Sequence, residues 1–164
     1  MVKKIIITGG LGYIGTELCK IYSGFSWHHK ITIIDNRFIS ERVNQLRNWN
    51  MEFIHGDILD KDLVKKHFET ADIVHHLAGI TDVPRVKSES SNEKNEKIKL
   101  VAEQGTQNIL NVISNNCKII FPSTHVIYEG LEKVKNDIKE EEDPKPILSY
   151  SLSKAINEKQ LKQS

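Results

Sequence analysis

Five short runs rich in β-branched residues punctuate the chain: Lys3 to Thr8, Ile31 to Asp35, Met51 to His55, Asp72 to His75, and Cys117 to Pro122. They show almost no polar alternation, which is the pattern of strands buried on both faces. Helical spacing fills the stretches between them, over Tyr13 to Tyr22, Lys61 to Glu69, Glu93 to Ser114 and Ser149 to the end, with a shorter, less regular candidate near Glu41 to Trp49. The inner face of the long central helix is expected to be Ile98, Val101, Ile109, Leu110 and Ile113. Strand and helix alternate throughout, so the fold class is α/β, with a Rossmann-type doubly wound parallel sheet of about five strands covered by helices on each side.

Polar connections interrupt this rhythm twice. Arg85 to Lys97 is poor in apolar residues and reads as a loop feeding the central helix, and "KVKNDIKEEEDPKP" reads as a solvated loop or a substrate-side flap. The 164 residues suit one domain, residues 1–164, and no repeat is visible.

Composition removes several function classes. The 23 basic and 22 acidic residues leave a net charge of +1, so no broad field favours nucleic acid or an anionic membrane, and any anion must be held locally. Apolar runs such as "KIIITGG" are far too short to span a bilayer, and the basic start lacks a signal-peptide core; a soluble, cytoplasmic protein is expected. Cys19 and Cys117 have no CxxC partner and are expected to be two buried thiols. Adjacent histidines at 28/29 and 75/76 point to opposite sides of a strand and make poor metal partners, so no metal site is expected. Trp27 and Trp49 are expected to be partly buried.

The first strand ends in "TGGLGYIG", which satisfies a glycine-rich fingerprint in two registers, through Gly10, Gly12 and Gly15 and through Gly9, Gly12 and Gly15. A strand that turns sharply into a helix needs glycine where φ is positive, where backbone approaches a pyrophosphate, and where helix packs on strand. The helix N-terminus then offers N–H groups and a positive dipole to phosphates. Asp35 closes the second strand, where a carboxylate can accept ribose hydroxyls and repel a 2′-phosphate. That favours NAD over NADP, although nearby Arg37 could accommodate the latter.

Near the end of the chain stands "YSLSK". Four helical residues turn through about 400°, so Tyr150 and Lys154 share a face one turn apart. A phenol that exchanges protons at neutral pH needs its anion favoured by about 4 kcal/mol, and a neighbouring ammonium with a positive nicotinamide ring can supply much of that. The alternative is an ordinary amphipathic helix with a packed tyrosine and a solvated lysine. "FPSTHVIY", at the fifth strand's carboxyl end, adds Thr124, whose hydroxyl can bond the substrate oxygen.

Together these segments resemble the extended branch of the short-chain dehydrogenase/reductase superfamily, in particular its NAD-dependent nucleotide-sugar epimerases and dehydratases. The resemblance rests on "TGGLGYIG", "IIDN", "GDILD", "HHLAG", "GTQNIL", "PSTHVIY" and "YSLSK", and covers essentially the whole chain. It implies NAD as cofactor, with Gly9, Gly12, Tyr13, Ile14 and Gly15 along the pyrophosphate turn, Asp35 and Asn36 at the adenosine ribose, Asp57 and Ile58 at the adenine, and Leu77 and Ala78 against its middle. It implies Thr124, Tyr150 and Lys154 as the catalytic triad, with Tyr150 and Lys154 also at the nicotinamide side and Lys154 reaching its ribose. The implied partners are a nucleotide sugar, UDP- or another NDP-linked, and a second copy of the chain in a homodimer packed through helices around Gln104 and Lys154.

Departures from the family pattern narrow the reading. Members that dehydrate sugars carry an Asp-Glu pair after the strand-end threonine, and here those positions are His125 and Val126. Elimination then lacks an obvious proton donor. Epimerisation by transient oxidation is the leading expectation; a nucleotide-sugar reductase or dehydrogenase, and a non-catalytic NAD-binding module, stay open. His125 is expected to pack or to hydrogen-bond, with substrate contact as the alternative. Ala102 replaces the family's usual asparagine before "GT", which puts its usual helix distortion in doubt. Family members continue past the Tyr/Lys helix into further strands and a substrate-gripping region, so the resemblance implies a chain cut short, its fifth strand left near a sheet edge.

Overall fold

The computed structural model describes residues 1–81, 91–133 and 135–164. They fall into two compact units, one made of Met1–Gly79 with Asn108–Pro122 and the other of Ile80–Gln107 with Ser123–Ser164.

The first unit is the sheet. Its strands are β1 (Lys4–Thr8), β2 (Lys30–Asp35), β3 (Glu52–His55), β4 (Ile73–His76) and β5 (Lys118–Ile120). They lie in the order β3-β2-β1-β4-β5, and every neighbouring pair is parallel. The chain winds outward from β1 in both directions, as the buried runs predict. Ile5, Ile6 and Ile7 of β1 are at most 2% exposed, so the central strand is covered on both faces. Among the described residues β5 lies at the edge and pairs with β4 alone; it is three residues long, shorter than the apolar run over Cys117 to Pro122. Ile120 on it is exposed.

The helices lying wholly in this unit among the described residues are α1 (Tyr13–Tyr22), α2 (Ser40–Asn48) and α3 (Lys61–Phe68). Leu11, Cys19, Val43 and Leu46 pack with Ile5, Ile7, Ile31 and Ile33 into one cluster on one side of the sheet, with Trp49 half-buried against it. The less regular α2 exists because Val43 and Leu46, three apart, fall on its inner face. Asn50 follows it with φ 57°, a left-handed stop that asparagine tolerates. Asp60 caps α3 by accepting the N–H groups of Asp62 and Leu63 at 3.0 and 3.1 Å.

Several expectations are corrected here. Cys19 is buried, and burial pushes its thiol up to about 12, but Cys117 is only half-buried because it precedes an edge strand. Trp27 is 74% exposed, set in a turn among Ser26, His28 and His29 rather than against the core.

The second unit is mostly helical. Ser91 caps α4 (Asn92–Leu100) by accepting the N–H of Lys94, a π-helical turn covers Val101–Gly105, and α5 (Thr106–Leu110) continues from it, its residues from Asn108 onward belonging to the first unit. The helix expected to reach Ser114 stops at Leu110. Val112 and Ile113 instead turn back onto the Ile109 carbonyl, in a stretch where β-branched residues meet serine and asparagines that compete for backbone bonds. The π turn redirects the inner face: Ile98 and Ile109 are buried as expected, but Ala102, Gly105 and Thr106 are buried with them, while Val101, Leu110 and Ile113 are only half-buried. The polar stretch over Arg85 to Lys97 lies partly outside the described residues.

A 3-10 turn (His125–Tyr128) and α6 (Ser149–Lys162) complete this unit. Between them the chain loops out and returns, closed where Lys145 N–H donates to the Ile127 carbonyl at 2.8 Å and Gly130 N–H to the Lys145 carbonyl at 2.9 Å. No helix among the described residues is long and apolar enough to cross a membrane.

Candidate functional site

The glycine turn lies in the first unit, between β1 and α1. Gly9 has φ +65°, and a Cβ there would sit 2.8 Å from the backbone nitrogen of Ala78. Only glycine lets the turn approach the loop after β4 so closely. A Cβ at Gly15 would sit 2.6 Å from the Gly9 carbonyl oxygen, so α1 packs directly on the turn. No side chain caps α1 and no acidic residue occupies its first turn. Tyr13 and Ile14, at its start, are 85% and 59% exposed. The helix therefore presents an uncapped, positive end on a surface shaped by glycine, which fits an approaching pyrophosphate.

Thr8 braces this turn. Its hydroxyl oxygen accepts the Ala78 N–H at 3.0 Å and pairs with His76 Nδ1 at 2.9 Å. Thr8 and His76 are both buried. His75 faces the opposite way, its Nε2 2.8 Å from the Tyr22 hydroxyl, and burial lowers its pKa below the ordinary histidine range. Alternation along β4 thus separates the two histidines, as the sequence implies. No cluster that could hold a metal exists among the described residues.

Asp35 behaves differently from a carboxylate simply held out to solvent. One oxygen accepts the Leu11 N–H at 2.9 Å and the other the Arg37 N–H at 3.0 Å, with Arg37 Nε 3.4 Å away. The side chain is 3% exposed. It ties the glycine turn to the end of β2, and Oδ2, which takes a single N–H, keeps a lone-pair site for a ribose hydroxyl. Beside it, Asn36 Nδ2 donates to Asp57 at 2.9 Å, joining two of the residues expected along the adenosine. Ile58 is buried, and its carbonyl accepts the Asn108 amide at 3.0 Å. The first-unit residues expected at the adenosine and the pyrophosphate thus lie in one braced group, and their shapes and charges fit that part of a dinucleotide.

Thr124, Tyr150 and Lys154 all lie in the second unit. Thr124 Oγ1 accepts the Val126 N–H at 3.3 Å, which starts the 3-10 turn and leaves the hydroxyl proton to donate elsewhere. Tyr150 is half-buried in the first turn of α6. Lys154 is 8% exposed, and burial lowers its ammonium below the ordinary lysine range. His125 is exposed.

Residues that pattern reading overlooked set the position of α6. Glu129 accepts the N–H groups of Ile147 and Leu148, each at 2.7 Å, and the Ser151 hydroxyl. The Ser123 hydroxyl donates to Glu158. Asn157 and Gln160 reach the π turn, whose presence overturns the doubt raised by Ala102: the helix is distorted without the usual asparagine. Nothing local in the sequence marks these side chains, because their partners lie 18 to 57 residues away.

A family model described as the 3-beta hydroxysteroid dehydrogenase/isomerase family matches residues 6–164. The chain belongs to this family. The chain is 32% identical to a dTDP-D-glucose 4,6-dehydratase of Dictyostelium discoideum, over 94% of its own length and 38% of the relative's. Among solved structures, a UDP-glucuronic acid 4-epimerase variant from Bacillus cereus, in complex with a fluorinated UDP-sugar and NAD, superposes with TM-score 0.82 at 25% identity, covering 98% of this chain and 51% of that one. A UDP-N-acetylglucosamine 4-epimerase from Methanobrevibacter ruminantium gives TM-score 0.78 at 30% identity, covering 99% and 50%. The fold is thus the Rossmann-type fold of extended short-chain dehydrogenases/reductases, and the chain spans about half or less of the proteins it matches.

Proposed function

We propose that this chain is the NAD-binding portion of a nucleotide-sugar epimerase that works by transient oxidation. The supporting observation is the glycine turn, with its open α1 N-terminus and the Asp35–Asn36–Asp57 set beside it, in a family whose solved members include NAD-bound UDP-sugar epimerases. Gly9, Gly12, Tyr13, Ile14 and Gly15 line the pyrophosphate, Asp35 and Asn36 the adenosine ribose, Asp57 and Ile58 the adenine, and Leu77 and Ala78 the cofactor's middle. When bound, NAD supplies a reversible hydride acceptor, so a sugar carbinol can be oxidised and reduced again with no net change in the cofactor.

Tyr150 removes the proton from the reacting sugar hydroxyl and returns it when the alcohol is re-formed. Lys154 favours the phenolate, and its burial strengthens that effect, since a charge in a less polar setting acts more strongly. Thr124 donates its free hydroxyl proton to the same substrate oxygen. Re-reduction from the opposite face inverts the carbon. His125 and Val126 supply no carboxylate for loss of water, which favours epimerisation over dehydration. A cytoplasmic homodimer is part of the same proposal.

Incubating a full-length version, one that continues into the family's substrate region, with NAD and UDP-sugars tests the reading. Interconversion of epimers without accumulating NADH is the expected result, and Tyr150→Phe abolishes it. Stoichiometric NADH release assigns a net dehydrogenase instead, and NAD binding without sugar binding assigns a cofactor-binding module.

A further inference from the structure

The π turn at Val101–Gly105 is held from outside its own helix. Asn157 Nδ2 donates to the Ala102 carbonyl at 2.8 Å and to Thr106 Oγ1 at 2.6 Å, one acceptor at each end of the distortion. Gln160 Nε2 donates to the Glu103 carbonyl at 3.0 Å between them. Ala102, Thr106 and Asn157 are 8%, 1% and 5% exposed, so the bonds are shielded from water. A five-residue π turn offers carbonyls at angles that a regular helix does not, and a neighbouring side chain that captures them fixes two helices against each other.

The location on α6 matters. Asn157 follows Tyr150 by seven residues, about 700° of helical rotation, and so sits about 20° from it in azimuth, two turns further along. Lys154 lies between them on the same side. Turning α6 by about 10° would carry a group ~8 Å from its axis through more than 1 Å, a displacement that can cost on the order of a hundredfold in rate.

We propose that Asn157, assisted by Gln160, is a positioning residue that sets the rotation of α6 by clasping the π turn, and thereby holds the Tyr150/Lys154 face in register. The inference rests on the reading of those two residues given above. Glu129 performs a separate task at the helix N-terminus, where it accepts the N–H groups of Ile147 and Leu148. Asn157 acts two turns further on, against the π turn. Leucine at 157 keeps the branched shape, though with more bulk, and removes both donors. Valine at 106 removes one acceptor, whereas serine keeps it.

Nuclear magnetic resonance of the full 164-residue chain, isotope-labelled at lysine Cε, reads the effect directly. The buried Lys154 resonance, assigned with Lys154→Arg, stands apart from those of the exposed lysines. In Asn157→Leu it moves at least about half of the way to their envelope under native conditions. Thr106→Val moves it in the same direction, and Thr106→Ser leaves it in place. If Asn157→Leu and Thr106→Val merely lower the urea midpoint while the resonance stays where it was, the clasp serves fold stability alone and the proposal is overturned. Should Asn157→Leu fail to fold, the Thr106 pair decides by the same criterion. NAD added to the wild-type chain reads the functional assignment separately: an unresponsive Lys154 resonance counts against that assignment, while the apo spectra still report on the clasp.

Discussion

Glu129 Oε1 accepts the backbone N–H of Leu148 at 2.7 Å, joining the end of the 3-10 turn to the residue that opens α6. The same oxygen takes the Ile147 N–H and the Ser151 hydroxyl, so one carboxylate caps the helix that carries Tyr150 and Lys154. Burial raises its pKa, but the bonds from Ser151, Leu148 and Ile147 together outweigh that and leave it below the ordinary carboxylate value. A carboxylate with a depressed native pKa contributes stability that is present above its unfolded pKa and lost as pH falls through the native one. Glu129→Gln is expected to destabilise the fold by about 1 kcal/mol at neutral pH, as loss of a helix cap does. Urea midpoints of the two proteins converge as the pH drops through the acid range.

At the glycine turn the prediction concerns backbone strain. Gly9→Ala would place a Cβ 2.8 Å from the Ala78 nitrogen at φ +65°. The expected cost is about 1 to 3 kcal/mol of stability, measured by denaturant unfolding, with a clear loss of NAD affinity by calorimetry. An unchanged midpoint would mean that the loop after β4 yields to the methyl group.

Lys154 is expected to separate stability from function. Its native pKa is lowered by burial, so the protonated amine opposes folding, and stability rises with pH between the native and the unfolded lysine values. Lys154→Met, of similar volume, is expected to keep or raise the urea midpoint at neutral pH and to flatten the alkaline rise. Epimerase turnover is expected to disappear in the same variant. Joint loss of stability and turnover would mark Lys154 as a structural residue.

Much of this organisation was legible in the chain itself. The parallel sheet could be read because Ile5–Ile7, Ile31–Ile34 and their counterparts are apolar on both faces, and the turn because Gly9, Gly12 and Gly15 recur at a strand end. Asn36 and Asp57 were expected along the same adenosine, but their direct bond, between two strand ends side by side in the parallel sheet, was not. What escaped was what depends on distant partners. The Glu129 cap and the Asn157 clasp join segments that no periodicity connects, and the π turn arises from packing against α6, beyond the reach of local propensity. Leu110 ended the central helix early because tertiary turns around Ile109 prevailed over apolar spacing. Asp35 was expected at the ribose, while its hold on the glycine turn through Leu11 required coordinates.

Calorimetric titration of the 164-residue chain with NAD, with NADP as the competitor, tests the central claim most directly. Saturable one-to-one binding of NAD, weakened by Gly9→Ala and stronger than that of NADP because the Asp35 carboxylate repels a 2′-phosphate, is the predicted result. Absence of saturable NAD binding by the folded chain would contradict it.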